Sequence, residues 1–249
     1  MSILKTFFTI NTKISFAFDR LLPAAMSVYG TTDFHARLLP AHLQSNWKVY
    51  DIGGGKRPFI FPGMKKEMNI ELIGIDIDES ELKKAPKGNY DEIIVADMTA
   101  YRGAADGDMV ISRSTLEHVR DTRGTIASMA TCVKDGATLI VFAPCRNALF
   151  TRLNDWLPES IKRKLLKALY GDQADVMGFE AFYDRCTPSQ MRENIKDANL
   201  EIEEETIYWM SNYFAYFFPA HIVWRVYQIL VRMLGMNNLC EGFAYVIKK

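Results

Sequence analysis

Cysteine is scarce in this chain, and neither sign of charge is in surplus. The four cysteines, Cys132, Cys145, Cys186 and Cys240, are scattered and include no Cys-x-x-Cys pair. That spacing argues against a disulfide scaffold and a structural zinc site, and fits a reducing cytosol. Thirty Lys and Arg are matched by thirty Asp and Glu, so no net field recruits nucleic acid or an acidic polymer. The early apolar residues are interrupted by Asn11, Thr12 and Lys13, so no secretory leader is expected and the chain reads as cytoplasmic. Internal repeats and low-complexity linkers are also missing. At 249 residues the chain can bury the full core of one α/β domain.

What is present is concentrated in two short stretches, Lys-Val-Tyr-Asp-Ile-Gly-Gly-Gly at 48–55 and Gly-Ile-Asp-Ile-Asp at 74–78. An apolar run ending in Asp51 reads as a buried strand. The glycines after it let the backbone bend sharply and approach a ligand without a side-chain clash. A second apolar run, Ile70 to Ile75, delivers Asp76 about twenty residues beyond the loop, where a nucleotide-binding βαβ unit places the acid that holds ribose hydroxyls. Two further absences narrow the ligand. Gly53 and Gly55 are followed by Pro58, so the third glycine that a dinucleotide pyrophosphate requires is missing. No Gly-Lys-Ser/Thr follows a four-residue spacer, which excludes a P-loop. A ribose acid without a phosphate cradle suits S-adenosylmethionine.

Three more stretches follow in order. Ile93-Ile94-Val95-Ala96-Asp97-Met98 is a third strand ending in an acid. Asp106-Gly107-Asp108-Met109-Val110-Ile111-Ser112 is a fourth, followed by Leu116-Glu117-His118-Val119. Val133 to Val141 then turns through Gly136 into a fifth. Together the five motifs across 48–145 resemble the class I S-adenosylmethionine-dependent methyltransferases. The resemblance implies an α/β, Rossmann-like seven-stranded sheet, mostly parallel with an antiparallel last strand, helices on both faces and helical insertions. It implies that Asp76 holds the ribose, Asp51 and the backbone of Gly53, Gly54 and Gly55 the methionine part, and Asp97 with Met98 the adenine, with Ile77 and Ser112 also at the cofactor. Residues after strand four, namely Ser112, Arg113, Ser114, Glu117 and His118, face the transferred methyl in that family. His118 is the candidate base, since an imidazole titrates near neutral pH; a histidine bonded to backbone at a helix start is the alternative. Some relatives bind a divalent metal through acids around this Glu-His. Here Ser112 and Ser114 stand in the preceding positions, so no metal is carried over. His35, Tyr183, Asp184 and His221 are secondary candidates from regions expected to cover the pocket, against ordinary packing roles for each.

The expected organisation is a helical N-terminal cap over 1–47 and a methyltransferase domain over 48–249, with helical insertions at 146–186 and 213–240. Ile14, Phe18, Leu21, Leu22 and Ala25 recur at helical spacing, and Leu4, Phe7 and Phe8 suggest an earlier, separate turn. The short link from Gly55 to Ile70 carries Pro58, Pro62 and Gly63, which predicts a stunted helix. A basic amphipathic segment spans Pro158 to Tyr170. Thr187 and Pro188 start a helix that Asn199 should stop. Strand six should run from Glu201 to Trp209 and the last strand from Phe243 to Ile247.

Tyr213 to Met236 is intensely apolar, but His221, Arg225, Gln228 and Arg232 fall at offsets of 4, 3 and 4 and form one polar stripe. Either the apolar side of this helix packs in the core, or the helix lies on a membrane or meets a greasy substrate; the lysines of 158–170 suit anionic headgroups. The expected function is methylation, at oxygen, of a lipid-linked sugar or other amphiphile, with peripheral membrane contact through 213–236. Methylation of a soluble small metabolite and a non-catalytic, partner-binding role are the alternatives.

Overall fold

Lys48–Ile52 forms β1, with Val49, Tyr50 and Ile52 buried, and is followed by glycines that turn the backbone out of the strand through positive φ. The computed structural model describes residues 3–156 and 180–249. Beside β1 lie β2 (Glu71–Asp76), β3 (Glu92–Val95), β4 (Gly107–Arg113), β5 (Val133–Pro144), β6 (Glu201–Tyr208) and β7 (Gly242–Lys248), in the order β3-β2-β1-β4-β5-β7-β6. The first five strands pair in parallel, and β7 runs antiparallel between β5 and β6. Val49, Ile52, Leu72, Ile75, Ile111 and Leu139 have no exposed surface, as strands covered on both faces require. Ile52 pairs with Ile75 on one side and Ser112 on the other, so the carboxyl ends of β1, β2 and β4 share one edge. The strand order reverses there, and open α/β sheets bind ligands at such a switch point.

The helices are α1 (Ile3–Asp19), α2 (Gly30–Asp33), α3 (Leu39–His42), α4 (Pro62–Met68), α5 (Glu79–Lys83), α6 (Thr122–Cys132), α7 (Leu149–Trp156), α8 (Pro188–Asp197) and α9 (Phe218–Met233). A π turn, Phe34–Leu38, joins α2 to α3. The stunted helix after the glycine loop is α4, which starts on Pro62 and stops where Asn69 turns left-handed at φ 52°. Thr187 caps α8 by accepting from Gln190 N, and Asn199 ends it with a positive φ. The N-terminal stretch differs from expectation. Leu4, Phe7 and Phe8 belong to the same unbroken helix as Ile14 and Phe18, while Leu21, Leu22 and Ala25 lie beyond its end. No Gly or Pro interrupts residues 3–19, and Thr9, Asn11 and Thr12 bond back to carbonyls four residues earlier, so the polar residues do not break it. The basic 158–170 segment lies outside the described residues.

The chain divides into two compact units. A helical unit comprises Met1–Tyr29, Cys145–Glu180 and Ile207–Gly242, and a sheet unit comprises Gly30–Pro144, Ala181–Thr206 and Phe243–Lys249. Within the helical unit, α9 is turned opposite to a core helix. Its polar residues His221, Arg225 and Gln228 are fully buried, whereas Val223 is 70% and Met233 79% exposed. Packing of the apolar side is therefore corrected: the polar stripe is the packed side, because α1 brings an acid to it. His221 Nε2 and Arg225 Nε each lie 3.0 Å from Asp19 Oδ1. Arg225 also donates to Trp209 O at 2.8 Å and Gln228 Oε1 at 2.7 Å, and Gln228 and Trp224 both donate to Glu241 Oε1. Arg232 alone of the stripe stays exposed.

Candidate active site

Between β1 and α4 the backbone turns through the left-handed region at Gly53 (φ 71°) and Gly55 (φ 49°). A Cβ on Gly53 would stand 2.3 Å from the Thr115 side chain, and one on Gly54 2.4 Å from Asp51 Oδ2. The loop therefore rests directly on Asp51 and Thr115, and Thr115 Oγ1 donates to Ile52 O at 3.2 Å. Asp51 is fully buried beneath the loop and offers no side-chain surface of its own. Its Oδ2 accepts from Phe59 N at 3.0 Å and from the Tyr90 hydroxyl at 3.2 Å, while Oδ1 has no partner. Burial pushes this carboxyl up to about 7. Tyr90 reaches it by crossing Gly74, where a Cβ would come within 2.8 Å of the ring. Sequence reasoning missed Tyr90; the signal was a glycine inside the apolar run of β2.

Asp76 ends β2 with Oδ1 accepting from Asp78 N at 3.0 Å, and burial raises its carboxyl. A Cβ on Gly55 would lie 3.4 Å from its other oxygen, so the acid and the loop face each other. Ile77 beside it is 71% exposed, a large apolar side chain left open to solvent. Asp97 is exposed and accepts from Thr99 N, with Met98 buried next to it. Lys56 is drawn to Glu81 at 3.2 Å, and Phe59 is buried against Phe34.

At the end of β4, Ser112 is buried with its Oγ unpartnered among the described residues, and Ser114 adopts a left-handed φ of 55°, a conformation uncommon for residues other than glycine. The Glu117 carboxyl is buried, has an unpartnered Oε2 and is pushed up to about 8 by burial. Its backbone carbonyl accepts from Phe182 N and Tyr183 N. The His118 imidazole is one-third exposed, 33%, with Nε2 3.8 Å from Glu117 Oε1. Asp184 accepts from Thr122 N, so it and Tyr183 tie the 180–187 stretch to the β4–α6 connection. His35 meets Arg113 at 2.6 Å. His221 is corrected as a pocket residue, since it is enclosed in the helical unit on Asp19 and offers no surface to a substrate. Among the described residues no group of His, Cys, Asp and Glu is placed to hold a metal ion.

A family model described as a methyltransferase domain matches residues 19–205. The chain belongs to the methyltransferase domain family. With that family come the class I fold and S-adenosylmethionine as methyl donor. The methyltransferase shares its fold with several solved structures. An S-adenosylmethionine-dependent methyltransferase from Mesorhizobium loti is 14% identical with TM-score 0.56, over 88% of this chain and 99% of that one. A methyltransferase from Methanosarcina mazei is 16% identical with TM-score 0.54, over 90% and 98%. The geranyl diphosphate C-methyltransferase of Streptomyces coelicolor is 11% identical with TM-score 0.56, over 87% and 79%. No curated protein sequence matches this methyltransferase. The crevice fits the donor in its own chemistry: a loop bare of side chains, an acid facing it, an open apolar residue beside that acid, and the unpartnered Ser112 Oγ at the neighbouring strand end.

Proposed function

We propose that this methyltransferase methylates a hydroxyl of an amphiphilic acceptor, a lipid-linked sugar or related compound, met at a membrane surface. The reversed polarity of α9 carries this reading. Val223, Val226, Leu230 and Met233 follow one another at offsets of three and four along its exposed side, and Phe7, Ile10 and Ile14 do the same on α1. Exposed apolar rows of this kind are costly in water and stabilising in the headgroup region of a bilayer. The helical unit carries eleven Lys and Arg against seven Asp and Glu, leaving nineteen against twenty-three in the sheet unit. Basic residues near an anionic leaflet add about 1 kcal/mol each. No described helix is long and apolar enough to cross a membrane, so the contact proposed is peripheral.

At the crevice, Asp76 would accept from ribose hydroxyls, Ile77 and Met98 would bracket the adenine with Asp97 at its edge, and the Gly53–Gly55 backbone with Ser112 would hold the methionine part. When bound, the donor supplies a methyl on a positively charged sulfur, so alignment and exclusion of water dominate the protein's share of catalysis. His118 would take the acceptor's hydroxyl proton at a ring nitrogen. Glu117 beside it, held neutral near pH 7 by burial, adds no competing negative charge.

Flotation with vesicles tests the membrane reading. The wild-type chain should rise with phosphatidylglycerol vesicles and less with zwitterionic ones, and the triple variant V223N, L230N, M233N should stay below. Equal recovery of both proteins from the soluble fraction overturns it.

A further inference from the structure

Arg113 is the last residue of β4, and among the described residues its bonding differs from that of five other arginines. Arg37, Arg123, Arg185, Arg192 and Arg225 each pair with a carboxylate. Arg113 instead lies with its guanidinium 4.8 Å over the Phe59 ring and Nη1 2.6 Å from His35 Nε2, and its buried Nε has no partner among the described residues. The contact with His35 requires that ring nitrogen to accept, so the imidazole is neutral there with its proton on Nδ1. Among the described residues two charged groups reach Arg113 through space. Arg57 repels it, and Asp51 attracts it but directs its bonded oxygen to Phe59 N and Tyr90. The backbone on both sides is unusual. His35 sits in the π turn Phe34–Leu38, and Ser114 holds a left-handed φ directly after Arg113; both features recur at functional sites.

We propose that Arg113 and His35, walled by Phe59 and Phe61, form a subsite for an anionic group of the acceptor, a carboxylate or a phosphate. His35 stacks on Phe61 at 5.7 Å and lies edge-on to Phe59 at 6.3 Å, so the aromatic rings fix the imidazole while leaving its Nδ1–H to donate. A half-buried guanidinium without an acid gains most from an oxyanion, which accepts charge-assisted bonds in the planar geometry that arginine presents. A bound anion also reverses the field at His35, whose protonation is now depressed by burial and by the Arg113 cation. The inference rests on the methyltransferase reading of the crevice, because it assigns the anion to the acceptor and not to the donor's own carboxylate.

The test uses the full chain saturated with S-adenosylhomocysteine and titrated with inorganic phosphate against chloride at equal ionic strength, following the His35 imidazole by nuclear magnetic resonance. Phosphate should bind the loaded protein and move the His35 titration upward. R113M should weaken phosphate by roughly tenfold or more while S-adenosylhomocysteine still binds, with R113K intermediate. Should R113M fail to fold, the wild-type titration and R113K still decide. If phosphate leaves His35 of the loaded protein unmoved, or S-adenosylhomocysteine displaces phosphate competitively, Arg113 does not hold an acceptor anion and the inference is overturned. If the wild type fails to bind S-adenosylhomocysteine at all, the reading of the crevice falls first and the acceptor assignment with it.

Discussion

The Tyr90 hydroxyl lies 3.2 Å from Asp51 Oδ2 and 3.3 Å from the Gly55 carbonyl oxygen, with both oxygens accepting from it. One phenol thus ties a strand end to the loop above it. Y90F leaves the ring on Gly74 but removes the tie, so cofactor affinity should fall by about tenfold, the worth of one buried hydrogen bond. Calorimetry with S-adenosylhomocysteine measures the loss, which a merely space-filling Tyr90 would not produce.

The glycines make a sharper contrast. G54A sets a methyl 2.4 Å from the Asp51 carboxylate and should abolish detectable cofactor binding. G136A meets nothing within 4 Å and is strained only by its φ of 81°. It should cost about 1 kcal/mol of stability and leave binding unchanged. Thermal unfolding and calorimetry on the two variants separate loop shape from backbone strain.

Burial raises the carboxyls of Asp51 to about 7 and Glu117 to about 8. Both therefore hold protons more tightly in the folded chain than in the unfolded one. Between about pH 4 and 8 the native state binds more protons, so these two groups make stability fall as pH rises through that window. Denaturant melts of D51N and E117Q should be flatter over this range than the wild type. A wild type whose stability contribution from these groups rises with pH would contradict the burial argument.

In the helical unit, D19N leaves Arg225 buried without its counter-charge and weakens the hold on His221. Breaking a buried ion network costs about 3–5 kcal/mol. Faster hydrogen exchange along α9 should accompany the loss, because Asp19 is its polar link to the end of α1.

Most of the sheet was legible because parallel strands buried on both faces, such as β1, β2 and β4, read as short apolar runs, and turn residues bound two of them: Gly53 after β1 and Asn69 before β2. Thr187 and Pro188 announced α8 by local chemistry that needs no tertiary contact. The orientation of α9 was not legible. Offsets of 4, 3 and 4 fix which residues share a face, yet whether that face meets water or Asp19 depends on a residue 202 positions away. Tyr90 was hidden for the same reason, since a lone tyrosine acquires meaning only when Gly74 lets it pass beneath the loop.

A helix that hides its ions and displays its hydrocarbon has a consequence for handling the protein in a test tube. Two molecules meeting ridge to ridge through Val223, Leu230 and Met233 would shield the same side chains that lipid would. Concentrated stocks should accordingly drift toward larger species in light scattering, and a trace of mild detergent should return them to single chains.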